Sequence, residues 1–187
     1  MPKIDSVSNN FIDVINNAFV ILSGTVKQII NSKLKFMPDK IYVESIFKIE
    51  VSKVIKGDEK RKTIQLRILG GTVGDIKRPL MLKIKENQQF LFMLAPDIQP
   101  KKKTKDYVLY NNHGYHIKDN QVILNKKIFN DLKENKLKVH QNSVDKQELI
   151  SVIKKIDQFQ TKKRNEKQKQ LILPITTEKI TRKKNKK

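Results

Sequence analysis

The sequence predicts a mainly β domain, a partly open antiparallel barrel with a short helix before it and an amphipathic helix after it. Most segments between residues 19 and 124 alternate apolar and polar residues with the period of two that a half-buried strand requires. Apolar residues at helical spacing occur in two stretches, one near each end. Hydrophobic residues make up 37% of the 187 residues, which suffices for one modest core and therefore for one domain.

The first elements are a helix and a strand. Residues 6–18 predict a short amphipathic helix, because their apolar members recur at helical spacing. Residues 19–29 are rich in β-branched and aromatic types and predict the first strand. Gly24 falls in its middle, where a strand can bend sharply or coil around a barrel. The domain is predicted to span residues 11–160, after an N-terminal extension of residues 1–10.

Two further strands are predicted to pair with each other. Residues 41–55 alternate apolar and polar side chains over a length that indicates a long half-buried strand. Gly57 lies in the turn that follows, and residues 63–69 resume the alternation. The short connection predicts that these strands are adjacent and antiparallel.

A group of glycines, Gly70, Gly71 and Gly74, follows the third strand. Glycines let backbone N–H groups approach an anion closely, so a phosphate-binding loop is one interpretation. Such a loop needs a strand–loop–helix unit and a Lys-Ser/Thr pair, and this segment has neither. We therefore predict a structural turn or bulge here, as at Gly24 and Gly57.

The later segments predict four more strands. Residues 88–94 are almost continuously apolar, which is typical of a central strand buried on both faces. Residues 107–110, 114–117 and 121–124 are short and predict three further strands. Asp and Asn at positions 119 and 120 predict a hairpin turn before the last of them.

The C-terminal part divides into a helix and a basic tail. Residues 143–159 predict an amphipathic helix with acidic residues in its first turn. Residues 161–187 hold 11 Lys and Arg but two Asp and Glu, and we predict that this tail is disordered. The tail carries a net charge of +9, which leaves +12 for the rest of the chain.

The charge of the chain points to an anionic partner. Its 40 Lys and Arg against 19 Asp and Glu give a formal net charge of +21. This excess predicts affinity for nucleic acid, an acidic envelope polymer or an acidic protein. Because 35 of the basic residues are Lys, the charge also fits the drift of an AT-rich genome. The candidate polyanion-binding residues are Lys101, Lys102, Lys103, Lys105, Arg182, Lys183 and Lys184.

Three tyrosines, Tyr107, Tyr110 and Tyr115, fall in predicted strands beside this lysine-rich loop. On an open barrel face they would form a stacking platform for the bases of a nucleic acid. The alternative, which we favour, is that they are ordinary half-buried strand residues. We expect no metal site, cofactor or catalytic residue. The chain has no Cys, its carboxylates show no pairing for acid–base work, and the spacing of His113 and His116 places their rings on opposite faces of a strand.

Taken in order, these segments resemble a prokaryotic family of small β-barrel domains of unknown function, related in pattern to netrin-like modules of the oligosaccharide/oligonucleotide-binding (OB) fold. The matching parts are a helix leading into a strand with a central glycine (13–26), a strand ending in Val-Ile-Lys-Gly (54–57), a strand ending in Gly-Gly-Thr-Val-Gly (70–74), the run Asn-Gln-Gln-Phe-Leu-Phe-Met-Leu (87–94) and a closing helix (147–153). The resemblance covers residues 11–159 and implies an OB-like barrel. The protease-inhibitor activity of some netrin-like modules depends on an N-terminal Cys, so it is not carried over.

The expected function is that of a non-catalytic binding or assembly module with charge-driven affinity for a polyanion or an acidic partner. The alternatives are an OB-fold protein that binds single-stranded nucleic acid and a structural subunit of a larger complex. No apolar stretch approaches the ~20 residues needed to span a bilayer, so we expect no transmembrane segment. The start of the chain lacks the apolar segment of an export signal, which predicts a cytoplasmic location. The family resemblance implies the cell surface instead.

Overall fold

The computed structural model describes residues 11–37, 40–97, 106–124, 128 and 143–184, with side chains of the last helix described as far as residue 166. The fold is mainly β with a helix at each end, which confirms the predicted class. The helices are α1 (Phe11–Asn17) and α2 (Lys146–Lys184), and the strands are β1 (Val20–Met37), β2 (Lys40–Lys56), β3 (Thr63–Leu69), β4 (Gly71–Val73), β5 (Ile76–Arg78), β6 (Gln89–Pro96), β7 (Tyr107–Lys118), β8 (Gln121–Ile123) and β9 (Ser143–Asp145).

Five strands form a partly closed ring in the order β1-β2-β3-β7-β6. The neighbours are antiparallel except β3 and β7, which pair in parallel through two residue pairs, Leu66 with Tyr107 and Arg67 with Val108. Because this last pairing is so short, the barrel is open in part, as the sequence predicts. β8 and β9 extend the sheet beyond β7, while β4 and β5 pair with each other.

The strands bury apolar residues on both sides of the barrel wall. Phe90, Phe92 and Leu94 belong to the cluster inside the barrel. Leu91 and Met93 belong to a second cluster, which packs against α1 and the start of α2. Both faces of β6 are therefore buried in apolar clusters, which explains why its apolar residues do not alternate with polar ones.

β1 is longer than the sequence prediction, which ended it at residue 29. It continues to Met37 and pairs with β2 from Ile21 to Met37, with several shifts of register before residue 31. β6 accompanies β1 only over residues 20–25. We use the word arm for residues 28–37 of β1 together with residues 40–48 of β2. The arm is the outer part of the β1–β2 hairpin. Alternation is consistent with strand structure here, since Leu34 and Phe36 alternate with lysines.

β7 is one strand of twelve residues, so the prediction of two short strands in this region was wrong. The polar residues between the two predicted strands are typical of a turn, but in the structure they form an irregular part of one continuous strand. Asn112 has a φ of 61°, and the register against β6 shifts in this region. The predicted turn after β7 is confirmed, because Asp119 and Asn120 both have positive φ values between paired strands.

α2 begins at Lys146, three residues later than predicted. Asp145 Oδ1 accepts hydrogen bonds from the backbone N–H groups of Gln147 and Glu148, at 2.8 and 3.0 Å, and so caps the helix. The helix runs to Lys184 and thus includes most of the segment predicted to be disordered. Lys, Gln, Glu and Arg lose little side-chain freedom in a helix, so the composition that suggested disorder also permits this element.

Glycines are needed where strands and loops approach most closely. A Cβ at Gly24 would lie 2.7 Å from the Glu50 carbonyl oxygen, next to a register shift between β1 and β2. Gly57, Gly70 and Gly74 have positive φ values outside the strands, and Gly71 has one as the first residue of β4. At Gly70 a Cβ would meet backbone, since the Pro79 carbonyl oxygen would lie 2.2 Å away and cannot rotate aside as a side chain can.

We predict that Gly70→Ala destabilises the fold far more than Gly74→Ala. Both substitutions force Ala into a left-handed conformation, which costs about 1–2 kcal/mol. At Gly74 a Cβ meets no described atom within 4 Å, whereas at Gly70 the clash with backbone adds about 1–3 kcal/mol. Urea unfolding of the two variants measures the difference. Equal unfolding free energies would show that the segment after Gly70 does not pack as described.

Candidate functional site

The candidate site lies beside the middle of the arm, where one arginine meets three carboxylates. Arg67 on β3 places Nη1 2.9 Å from Glu44 Oε2, Nη2 2.7 Å from Asp106 Oδ2 and Nε 3.0 Å from Asp97 Oδ2. The side chains of Arg67 and Glu44 are only 5% and 2% exposed. We call these four residues the Arg67 cluster.

The alternation of β3 explains why Arg67 points to the outside of the barrel. Its neighbours Leu66 and Ile68 fill the interior, so Arg67 takes the opposite face. Asp97 follows the end of β6 and Asp106 precedes β7, and the Asp97 N–H donates to the Asp106 carbonyl oxygen at 3.0 Å. Arg67 therefore joins β3 to both ends of the segment that connects β6 with β7.

The cluster needs Arg67 in its charged form. Arg67 Nε donates its hydrogen to Asp106 Oδ2 at 3.1 Å, so Asp97 Oδ2 has an ion pair with Arg67 but no hydrogen-bond donor within the described residues. Burial acts to lower the pKa of Arg67, but the hydrogen bonds to Asp106 and Glu44 raise it more, and the net change is upward. The guanidinium is therefore cationic wherever the protein is folded.

Two lysines of the arm share the carboxylate of Glu44 with Arg67. Lys33 Nζ is 3.4 Å from Glu44 Oε2, and Lys35 Nζ is 3.2 Å from Oε1. Burial acts to raise the pKa of Glu44, but the hydrogen bond from Arg67 and the charge and hydrogen bond of Lys35 outweigh it, so the pKa lies below 4.5. Both lysine side chains are more than one third exposed. The Arg67 cluster alone has one cation and three carboxylates, and the two exposed lysines balance its excess negative charge.

The opposite side of the arm is apolar at its tip. Phe36 and Ile41 pair across the two strands and are 72% and 54% exposed. Ile41 also lines a groove of about 580 Å³ with Met81, Pro79 and the exposed Arg78. Because side chains alternate along a strand, the arm has one basic face and one apolar face.

A second polar cluster surrounds Tyr107 at one end of the barrel. The Tyr107 hydroxyl donates to Glu59 Oε2 at 2.8 Å, and Arg61 donates to both oxygens of the same carboxylate at 2.9 and 2.6 Å. The Arg61 guanidinium lies over the Tyr107 ring, 5.4 Å from its centroid. The hydrogen bond from Arg61 is the largest influence that lowers the pKa of Glu59, and it holds that pKa at about 2 against the effect of burial.

The stacking interpretation of the tyrosines is wrong for the barrel as it is folded. Tyr107 and Tyr115 are 7% and 4% exposed, because each belongs to one of the two apolar clusters. Tyr110 is partly buried against the cluster that packs on the helices. Tyr115 also makes a hydrogen bond with His113 through its hydroxyl. These rings stabilise the core and offer no open face to a base.

The structure describes no side chain among the predicted polyanion-binding residues. Lys101, Lys102, Lys103 and Lys105 lie outside the described residues, while Arg182, Lys183 and Lys184 belong to the end of α2, where side chains are not described. The structure instead brings together Lys33, Lys35 and the Arg67 cluster, which the sequence analysis missed. The alternation of Lys33 and Lys35 with apolar residues was the available signal.

The two histidines of β7 lie on opposite faces of the strand. His113 contacts Tyr115 on the helix side of β7, whereas the His116 ring lies 5.3 Å from that of Phe90, which faces the barrel interior. In the described ranges, no three His, Cys, Asp or Glu side chains are grouped so that they could hold a metal ion. Over the same ranges, no helix combines the length and apolar character needed to cross a membrane.

We predict that Arg67→Met lowers the free energy of unfolding by about 3–5 kcal/mol, because it leaves three carboxylates at the site without their common cation. Arg78→Met is the matched control. Arg78 is exposed, so this variant should stay within about 0.5 kcal/mol of the parent. Urea denaturation followed by circular dichroism gives both values. A parent-like midpoint for Arg67→Met would contradict a structural role of the cluster.

We also predict that stability falls on acidification because of Glu59. Its folded-state pKa of about 2 lies below the ordinary value of 4.5, so its contribution is full above pH 4.5 and is lost as the pH falls toward 2. Glu59→Gln should be less stable at neutral pH and should lose less stability in this window. Asp58→Asn, at a neighbouring exposed carboxylate, should keep the parent profile. Urea midpoints at a series of pH values test this, and identical profiles for Glu59→Gln and the parent would contradict it.

Comparison with known proteins adds no family to these observations. No protein-family model matches the chain, and the search of curated proteins finds no match. The resemblance to small β-barrel domains is therefore still a prediction, and the function has to be argued from the residues themselves.

Proposed function

We propose that this chain is a non-catalytic binding module that takes an acidic protein partner on its arm. The observation that carries the proposal is the position of Lys33 and Lys35. Both ammonium groups reach the same carboxylate, Glu44, which already forms an ion pair with Arg67. Since both lysines are also partly exposed, a carboxylate from outside can approach both ammonium groups next to Glu44.

The charge of the whole chain supports an acidic partner. A net charge of +21 raises the rate at which negatively charged molecules meet the protein and repels basic ones. Such long-range attraction acts on any anion and falls with salt over a Debye length of ~8–10 Å. The arm adds local contacts to it, because an exposed ion pair contributes about 0.2–1 kcal/mol.

The apolar face of the arm favours a protein over a nucleic acid. Phe36 and Ile41 are large apolar side chains exposed at the arm tip, and Met81 extends the apolar surface into the neighbouring groove. Apolar surface beside charge is typical of protein interfaces. A single-strand binder relies on open aromatic faces in the barrel, and Tyr107 and Tyr115 are buried.

We predict that the Lys33→Gln/Lys35→Gln double variant binds labelled poly-L-glutamate about three- to tenfold more weakly than the parent, since two exposed charge contacts are lost. Lys154→Gln/Lys155→Gln removes the same charge from an exposed part of α2 and should change the affinity less than about twofold. Fluorescence anisotropy with the full chain at low ionic strength measures both, with labelled single-stranded oligo(dT) as a second probe.

Three results would count against the proposal. Equal losses in the two double variants would show that net charge alone governs binding. Absence of poly-L-glutamate binding by the parent would remove the acidic partner. Salt-resistant binding of oligo(dT), with weak and salt-sensitive binding of poly-L-glutamate, would favour the single-stranded nucleic acid alternative.

A further inference from the structure

Within the described ranges, one edge of the arm has no neighbouring strand. β6 pairs with β1 only over residues 20–25, and the last backbone contacts on that side are those of Val26 with residues 87 and 88. Over residues 31–37, β1 pairs with β2 on one side, and on its other side the described residues contain no paired strand. An open strand edge presents backbone donors and acceptors to solvent.

The hydrogen-bond pattern shows which residues face this edge. The Gly70 N–H donates to the Val43 carbonyl oxygen at 2.7 Å, so the backbone groups of Val43 point away from β1. Val43 pairs with Leu34, and the register shows no bulge over residues 31–37. Leu34 must then direct its own N–H and C=O groups away from β2, and Ser32 and Phe36 do the same by alternation.

The open edge therefore offers three N–H and three C=O groups in one row. The side chains of β1 along this edge are apolar on one face of the arm and basic on the other. Leu34 and Phe36 lie on the apolar face, whereas Lys33 and Lys35 lie on the basic face with Glu44. A strand placed beside β1 would meet apolar and basic neighbours at alternate positions.

We propose that this edge of β1 binds an extended segment of a partner in which apolar and acidic residues alternate. The segment adds a strand to the sheet, so main-chain hydrogen bonds supply affinity and alternate side chains supply specificity. The apolar residues of the segment pack beside Leu34 and Phe36, and its carboxylates reach Lys33 and Lys35. This inference rests on the proposed function, because it names the chemistry and the binding mode of the acidic partner.

Charge argues against a second copy of this chain as the occupant. Pairing the same edge of two copies would bring Lys33 and Lys35 close to the same lysines of the other copy, and like charges on neighbouring strands destabilise a sheet. Lysines on edge strands are a known means by which proteins avoid such self-pairing. An acidic segment turns the same lysines into attractive contacts.

The test uses the full chain and two synthetic peptides of nine residues. One alternates Val and Glu, and the other has the same composition with all Val before all Glu. We expect the alternating peptide to bind at least tenfold more tightly and to protect the amides of Ser32, Leu34 and Phe36 from hydrogen exchange. The amides of Lys33 and Lys35 face β2 and should be protected with or without peptide. N-methylation of the alternating peptide on the amides that face β1 should abolish the difference between the peptides.

A protein variant gives an independent measure. Leu34→Pro removes one outward N–H without removing a bond to β2, and proline is tolerated on strand edges of this kind. We expect it to weaken the alternating peptide about tenfold and to leave poly-L-glutamate binding unchanged. Equal binding of the two peptides, with no new amide protection, would overturn strand addition while the charge-driven function stands. Failure of both peptides and poly-L-glutamate to bind would overturn both, and peptide-independent protection with a dimeric mass would assign the edge to a second copy.

Discussion

The structure depends on the charge compensation around Arg67. This one guanidinium joins β3 to Glu44 on β2 and to Asp97 and Asp106 at the ends of β6 and β7. The direct strand contact that closes the ring at this point, between β3 and β7, is two residue pairs long. The Arg67 side chain spans the same junction. Its ion pairs therefore add to the few backbone hydrogen bonds that join β3 to β7. Buried ion pairs add little net stability, but losing one partner is costly, which makes the arrangement specific.

The same cluster determines how the arm is presented. Glu44 lies midway along the β2 strand of the arm and forms ion pairs with Arg67 on one side and with Lys33 and Lys35 on the other. At this point β2 is thus fixed to the ring by both backbone pairing and charge. An arm anchored in this way keeps its open edge and its two chemically different faces in a defined orientation. Such preorganisation lowers the ordering cost of binding.

The sequence predicts those parts of the fold and of the site whose sequence patterns are local. Alternation and turn residues are local, so the strands around Gly57 and the turn at residues 119 and 120 were predicted. The Arg67 cluster joins positions 44, 67, 97 and 106, and no spacing rule connects residues so far apart. The tyrosines of β7 show a related limit, because alternation gives the period of a strand but not which face the helices cover. The positions of Lys33 and Lys35 on one strand face could have been predicted, since they alternate with apolar residues. They were missed because the first strand was predicted to end at residue 29.

Net charge alone would not let this protein choose between partners, because a charge of +21 attracts nucleic acid, acidic polysaccharide and acidic protein alike. Selection requires a feature that only one of these classes can satisfy. The lysines of the arm do not provide it, since any anion can approach an ammonium group. In the proposed strand addition, the row of N–H and C=O groups at Ser32, Leu34 and Phe36 would provide it, because only a polypeptide supplies both complementary donors and acceptors at the strand repeat of ~3.3 Å. Under this proposal, charge brings anions to the arm, and the backbone edge of β1 distinguishes a peptide from the other anions.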